Sequence, residues 1–146
     1  MKRLLFDTNV FVYALGHPHP LREPCISLLE NLVRSALHGE VSADLIQEFC
    51  HQRHRQTRDR ARAAADARDL ADIVTVHDVT LADADMGLSL YAASAGLDPI
   101  DALFAATALR RGIDTIVSAD RAFEGIPGLR RVDPLDEPAV AALRDV

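Results

Sequence analysis

Two aspartates follow short apolar runs: Asp7 comes directly after Leu4-Leu5-Phe6, and Asp120 lies just beyond Thr115-Ile116-Val117-Ser118. If both runs are strands of one sheet, the two carboxylates share an edge, where like charges repel unless a cation lies between them. Each also has a plainer reading as a helix N-cap. Asp101 is more informative. The segment after it, Ala102 to Leu109, is apolar except for Thr107 and reads as a buried helix. A carboxylate in the first turn of such a helix is costly unless it is paired, metal-bound or complements the positive helix end. Asp98, followed by Pro99, has the cap-then-proline order of a helix start and reads as structural. Glu48 lies on the flank of the apolar stripe Leu45, Ile46, Phe49 and Cys50, so it either reaches a cleft beside the core or is a solvated surface residue.

An acidic set of this kind suits hard divalent cations, which take oxygen ligands, better than zinc. The Glu48-x-x-His51 pair has the spacing of di-iron bundle sites, but those need two such pairs and further glutamates. His17, His19, His38, His54 and His77 show no metal-ligand spacing. Other chemistries are excluded by what the chain lacks. Fifteen arginines accompany a single lysine, Lys2, and no GxxxxGK follows, which removes Schiff-base and P-loop mechanisms. A phosphatase with a strand-end aspartate nucleophile would want a second aspartate two residues after Asp7, where Asn9 stands. Cys25 and Cys50 provide neither a zinc site of their own nor a disulfide framework, so the cytosol is the default compartment. No signal-peptide core follows Met1-Lys2-Arg3 and no apolar run approaches a membrane span, so a soluble protein is expected.

The elements that must position these acids follow from patterning. The 146 residues, 49% hydrophobic and 26% charged, fit one globular domain over residues 1–146. Arg3 to Phe6 reads as a buried strand turning at Asp7. Ile26, Leu29, Val33 and Leu37 predict a helix over 23–37, stopped by Gly39. Ser42 is a possible cap for the Leu45 stripe, which runs into an Arg/Ala-rich helical stretch over 53–72. Ile73-Val74-Thr75-Val76 reads as a second buried strand. Thr80 and Asp83 are spaced as a capping box for a helix whose apolar stripe is Leu81, Ala84, Leu88 and Tyr91. A further helix runs from Asp98-Pro99 to Gly112, followed by a strand at Thr115–Ser118 and a short edge strand at Arg130–Val132. Strands alternating with helices predict an α/β domain with a mainly parallel sheet covered on both faces. Ligands of such sheets gather at the carboxyl ends of the strands.

Asp7-Thr8-Asn9 after an N-terminal strand, Glu48 on a helix, Asp101-Ala102-Leu103-Phe104-Ala105-Ala106-Thr107-Ala108, and Ser118-Ala119-Asp120 after a late strand resemble, in this order and spacing, the PIN-domain ribonucleases. Length and acid order resemble the VapC-type toxins of VapBC toxin–antitoxin systems. The resemblance spans the whole chain and implies a PIN-like, Rossmann-like fold. It further implies an endoribonuclease in which Asp7, Glu48, Asp101 and Asp120 are catalytic and hold Mg²⁺ or Mn²⁺. Thr8, Asn9 and Ser118 would support the cluster, and Asp98 could add a carboxylate. The late Ser-Ala-Asp-Arg departs from many relatives, with Phe123 three residues after Asp120. The resemblance also implies an RNA substrate, a cognate antitoxin protein that silences the enzyme, a homodimer, no membrane association and a cytoplasmic location. The alternative is a PIN-fold module that binds RNA or protein without catalysis.

A net charge of -6 is unusual for an RNA binder. Four of the negative charges would belong to the metal cluster. The densest basic stretch, Arg53, Arg55, Arg58, Arg60 and Arg62 with His54, could grip RNA backbone; Arg53, Arg55 and Arg58 are the candidates. The competing reading is a solvated helical face whose arginines pair with Asp66, Asp69 and Asp72.

Overall fold

Leu4, Leu5 and Phe6 are consecutive and all fully buried, so β1 (Arg3–Phe6) is covered on both faces, as the centre of a parallel sheet requires. A computed structural model describes residues 1–144 of the chain. After β1 come α1 (Thr8–Leu15), α2 (Arg22–Val33), β2 (His38–Ser42), α3 (Ala43–Thr57), α4 (Arg60–Ile73) and β3 (Thr75–His77). Then follow α5 (Leu81–Ala93), α6 (Pro99–Arg110), β4 (Thr115–Val117), a 3₁₀ turn (Arg121–Phe123), β5 (Arg130–Val132) and α7 (Glu137–Ala142). The strand order is β3-β2-β1-β4-β5 and every pairing is parallel. The predicted α/β architecture holds. No described helix is long and apolar enough to cross a membrane.

Several local expectations are corrected. Thr8–Leu15, for which the pattern predicts no element, form a helix, because Asp7 caps its first N–H and Val10, Phe11 and Ala14 pack into the core. The helix predicted over 23–37 ends at Val33, and its buried face is Cys25, Leu28 and Leu32 rather than the Ile26–Leu29–Val33 stripe; Val33 is 60% exposed. Gly39, expected to stop that helix, instead lies inside β2. A Cβ there would sit 2.8 Å from Leu32 Cδ2 and 3.1 Å from Phe6. The strand predicted at Ile73–Val76 shifts to Thr75–His77 and forms a sheet edge, while Ile73 ends α4.

β2 carries its own polar anchor. Glu40, 1% exposed, accepts from Arg3 Nε (2.6 Å) and Nη2 (2.9 Å) and lies 2.6 Å from His77 Nε2. The Arg3 guanidinium, with His77, lowers the Glu40 carboxyl to about 2 despite burial. The cluster ties β1, β2 and β3 together.

The capping box of α5 is present as predicted, but the stripe Leu81, Ala84, Leu88 and Tyr91 faces away from the core. The inner face of α5 is instead Asp83 and Gly87. Asp83 accepts from Arg110 Nη1 (2.7 Å) and Arg111 Nη1 (2.9 Å), and a Cβ on Gly87 would sit 3.0 Å from Leu103 Cα. A buried ion pair and a backbone-to-backbone approach thus hold α5 on α6. The apolar side chains are left outside: Leu81 is 87% and Leu88 61% exposed.

Candidate active site

The strand order reverses direction between β1 and β4, and the ends of these two strands deliver Asp7 and Ser118-Ala119-Asp120 to one edge. Such a switch point leaves a crevice at the carboxyl ends of the strands. Asp7 continues the β1–β4 ladder by donating its N–H to Val117 C=O (3.0 Å). Its carboxylate then accepts three hydrogen bonds: from Thr8 N–H (2.8 Å), Asn9 Nδ2 (3.0 Å) and Ser118 Oγ (2.6 Å). Ser118 Oγ in turn accepts from Asp120 N–H (2.9 Å), and Asn9 Oδ1 accepts from Ala119 N–H (3.4 Å). Thr8, Asn9 and Ser118 thus form a hydrogen-bonded network that fixes Asp7 and the turn to Asp120.

α3 brings Glu48, which accepts from Thr8 Oγ1 (3.1 Å). α6 brings Asp101 in its first turn. Asp98 caps this helix by accepting from Asp101 N–H (2.7 Å), so its structural reading holds. Asp120 caps the 3₁₀ turn through Ala122 N–H (2.9 Å), with Phe123 fully buried beneath it. A carboxylate has more lone pairs than one cap uses, so the capping bonds of Asp7 and Asp120 leave both able to bind a ligand.

The four acids interact through their charges. Burial raises Asp7 to about 6 against its hydrogen bonds, with the charges of Glu48 and Asp120 adding to the rise. Burial likewise raises Asp101 to about 7, and Asp98, Asp7, Asp120 and Glu48 push in the same direction. None of the four acids is ion-paired with a basic side chain among the described residues. An all-oxygen, uncompensated set of this kind fits a hard divalent cation, which keeps several waters and needs only one or two direct carboxylates. Among the described residues, no three His, Cys, Asp or Glu side chains already stand together as a preformed metal cage.

Two further polar groups escaped sequence reasoning. Ser42 is fully buried, and its hydroxyl has no partner among the described residues although it stands at the N-cap of α3. Because Glu40 pairs with Leu5, Ser42 stands level with Asp7 in the sheet. Asp44 Oδ1 is similarly buried and unbonded among the described residues. The sequence signal for Ser42, a serine after a strand, is indistinguishable from a helix cap.

Of the basic candidates, Arg53 is corrected. It is 5% exposed, donates to Asp66 (2.9 Å), Gln56 (2.8 Å) and Leu15 C=O (3.2 Å), and is part of the packing between helices. Arg62 also pairs with Asp66. Arg55 and Arg58 are exposed.

Comparison with known proteins gives a consistent result. The PIN domain family model matches residues 4–129. Ribonuclease VapC7 of Mycobacterium tuberculosis is 36% identical over 144 residues, covering 97% of this chain and 99% of the relative. Ribonuclease VapC23 of the same species is 30% identical over 121 residues, covering 80% and 92%. Among solved structures, the VapBC2 complex of Rickettsia felis bound to a promoter DNA fragment superposes with a TM-score of 0.68 at 18% identity, covering 90% of this chain and 98% of the other.

Proposed function

The chain belongs to the PIN-domain family, among the VapC ribonucleases, and from that premise we propose that Asp7, Glu48, Asp101 and Asp120 form the catalytic centre of a toxin-type endoribonuclease. The observation that carries this reading is that carboxylates at the end of β1, on α3, at the head of α6 and after β4 lie close enough to repel one another, with none ion-paired to a basic side chain among the described residues. Asp7, Glu48, Asp101 and Asp120 would hold Mg²⁺ or Mn²⁺, which supplies a Lewis acid for the phosphodiester oxygens and for the attacking water. The protein's own contribution is positioning. Ser118, Asn9 and Thr8 fix the Asp7 carboxylate in one orientation, and Thr8 steadies Glu48. The raised Asp101 and Asp7 carboxyls must release protons as the cation binds, so loading is favoured above about pH 7.

The cognate antitoxin is a proposal supported by the toxin–antitoxin complex among the structural neighbours. An apolar groove between α1, α2, α3 and α4, lined by Phe11, Leu15, Leu29, Val33, Leu70 and Ile73, offers such a partner an unfilled surface. The homodimer is supported by the outward stripe of α5, since contiguous exposed apolar side chains mark interfaces. An RNA-cleaving protein with these partners works in the cytoplasm.

The test is cleavage of labelled cellular RNA by wild type and Asp7→Asn in Mg²⁺, Mn²⁺ and EDTA. Defined fragments from wild type with metal alone are expected. Absence of both cleavage and metal binding in a folded wild-type protein leaves only the non-catalytic binding module.

A further inference from the structure

Continued along α3, the catalytic Glu48 begins a stripe of exposed polar and basic residues. Positions 48, 51 and 55 are spaced by three and four, which places Glu48, His51 and Arg55 on one face of α3, and Arg58 follows at its C-cap. Glu48, His51, Arg55 and Arg58 are all exposed. The stretch from Glu48 to Arg58 spans eleven residues, a rise of roughly 15 Å. At its far end Arg58 takes a left-handed conformation (φ 57), and Asp59 caps α4 through Arg62 N–H (3.0 Å). Thr57 Oγ1 accepts from Asp59 N–H (3.2 Å) across this turn. The turn is thus fixed, and Arg55, Arg58 and Arg60 flank it, all exposed. Unlike Arg53 and Arg62, these three have no ion-pair partner among the described residues.

Beside the stripe lies a cleft of 540 Å³ between α3 and α4, lined by Gln47, His51, His54 and Arg60 over a floor of small alanines. Its walls offer hydrogen-bond donors and acceptors together with imidazole and guanidinium planes, the groups that hold an unstacked base. The chain carries a net charge of -6 and its catalytic centre is acidic. A polyanion approaches such a centre only if cations flank it.

We propose that this edge of α3 and α4 is a subsite for single-stranded RNA flanking the scissile bond, with phosphates on Arg55, Arg58 and Arg60 and one base in the cleft between His51, His54 and Arg60. The inference rests on the ribonuclease reading and adds the path the substrate takes across the surface. It replaces Arg53, buried in the packing, with Arg60 as a contact. The continuity of the cations with Glu48 on one helix face favours RNA over an acidic protein partner.

The test uses a short fluorescein-labelled single-stranded RNA of mixed sequence, with anisotropy read in EDTA so that nothing is cut. The combined variant Arg55→Ala/Arg58→Ala/Arg60→Ala is expected to bind at least tenfold more weakly and to reduce the slope of log K against log salt by about 2, since each phosphate contact on a single strand contributes about 0.7. His51→Ala/His54→Ala should weaken binding severalfold with the salt slope unchanged. Arg68→Ala/Arg130→Ala, which removes exposed arginines elsewhere, should change neither. All variants should melt close to wild type, because the side chains removed are exposed, apart from the half-buried His54. An equal loss in the Arg68/Arg130 variant would reduce the effect to bulk charge and overturn the subsite. A triple variant that binds RNA like wild type would also overturn it and leave the patch to an acidic protein. If wild type cuts RNA with Mn²⁺ while the triple variant binds normally, only the subsite falls; if wild type neither binds nor cuts RNA, the ribonuclease reading falls first.

Discussion

The acidic cluster should destabilise the metal-free protein, and Asp101→Asn makes that cost measurable. Asp101 is raised from 3.8 to about 7 by burial and by Asp98, Asp7, Asp120 and Glu48. Its folded-state pKa lies above the unfolded value, so the native state holds a proton that the unfolded chain has released between about pH 4 and 7. Stability without metal therefore falls as pH rises through that window. Three units correspond to a ceiling of about 4 kcal/mol. Water reaching the partly exposed carboxyl weakens the repulsion, so about 1–3 kcal/mol is expected. For a domain of this size that is a rise in Tm of roughly 3–10 °C for Asp101→Asn at pH 8 in EDTA. At pH 5 the gap should be clearly smaller, because the folded wild type still holds the Asp101 proton and only the first part of that window has been crossed. Millimolar Mg²⁺ or Mn²⁺ at pH 8 should raise the wild type and close or reverse the gap, since an ion that binds only the native state stabilises it by mass action. Thermal melts at both pH values, with and without metal, read all three effects. An Asp101→Asn protein no more stable than wild type at pH 8 in EDTA, or a difference identical at pH 5, would refute the reasoning.

Other elements make separate predictions. Glu40, held at about 2 rather than 4.5, stabilises the fold above the unfolded pKa, and that contribution is lost as pH falls from about 4.5 towards 2. Glu40→Gln should therefore cost about 1–3 kcal/mol at pH 7, discounted because Arg3 is partly exposed, and should flatten acid unfolding over that range, as read by urea titration. Gly87→Leu should destabilise by about 2–3 kcal/mol by forcing α5 off the Leu103 backbone, whereas Gly96→Ala, which meets nothing within 4 Å, should be benign in the same titration. Leu88→Asp, on the outward face of α5, should leave the melting temperature nearly unchanged and convert a dimer to a monomer in sedimentation velocity; an unchanged sedimentation coefficient would remove that face from the dimer.

The site was more legible than the elements around it. Asp7, Asp101 and Asp120 stand out because acids at strand ends and at the head of an apolar helix need a reason, and sheet topology brings them together. Glu48 was legible only through the family resemblance, since a flanking glutamate on a helix has no distinguishing local pattern. The errors have specific causes. In β2, Glu40 breaks any apolar pattern because its burial depends on Arg3 and His77, both distant in sequence. In α1 no helix is predicted, because its short apolar stretch has no clear period and only the packing of Val10 and Phe11 into the core sets it. In α5 the periodicity was genuine, but Asp83 and Gly87 claimed the inner face through an ion pair and a close backbone contact, so the apolar stripe was left for another surface. Arg53 looked like its exposed neighbours because Asp66, thirteen residues away, reveals itself as a partner only when α3 and α4 pack.

The most direct test of the account is Mn²⁺ binding by calorimetry at pH 8 to wild type and to Asp7→Asn, Glu48→Gln, Asp101→Asn and Asp120→Asn, with folding checked by melts. Saturable binding to wild type, weakened about tenfold or more by each substitution, is the predicted result. Wild-type affinity retained in all four variants, or no binding to a folded wild type, would contradict the claim that these carboxylates form one metal centre.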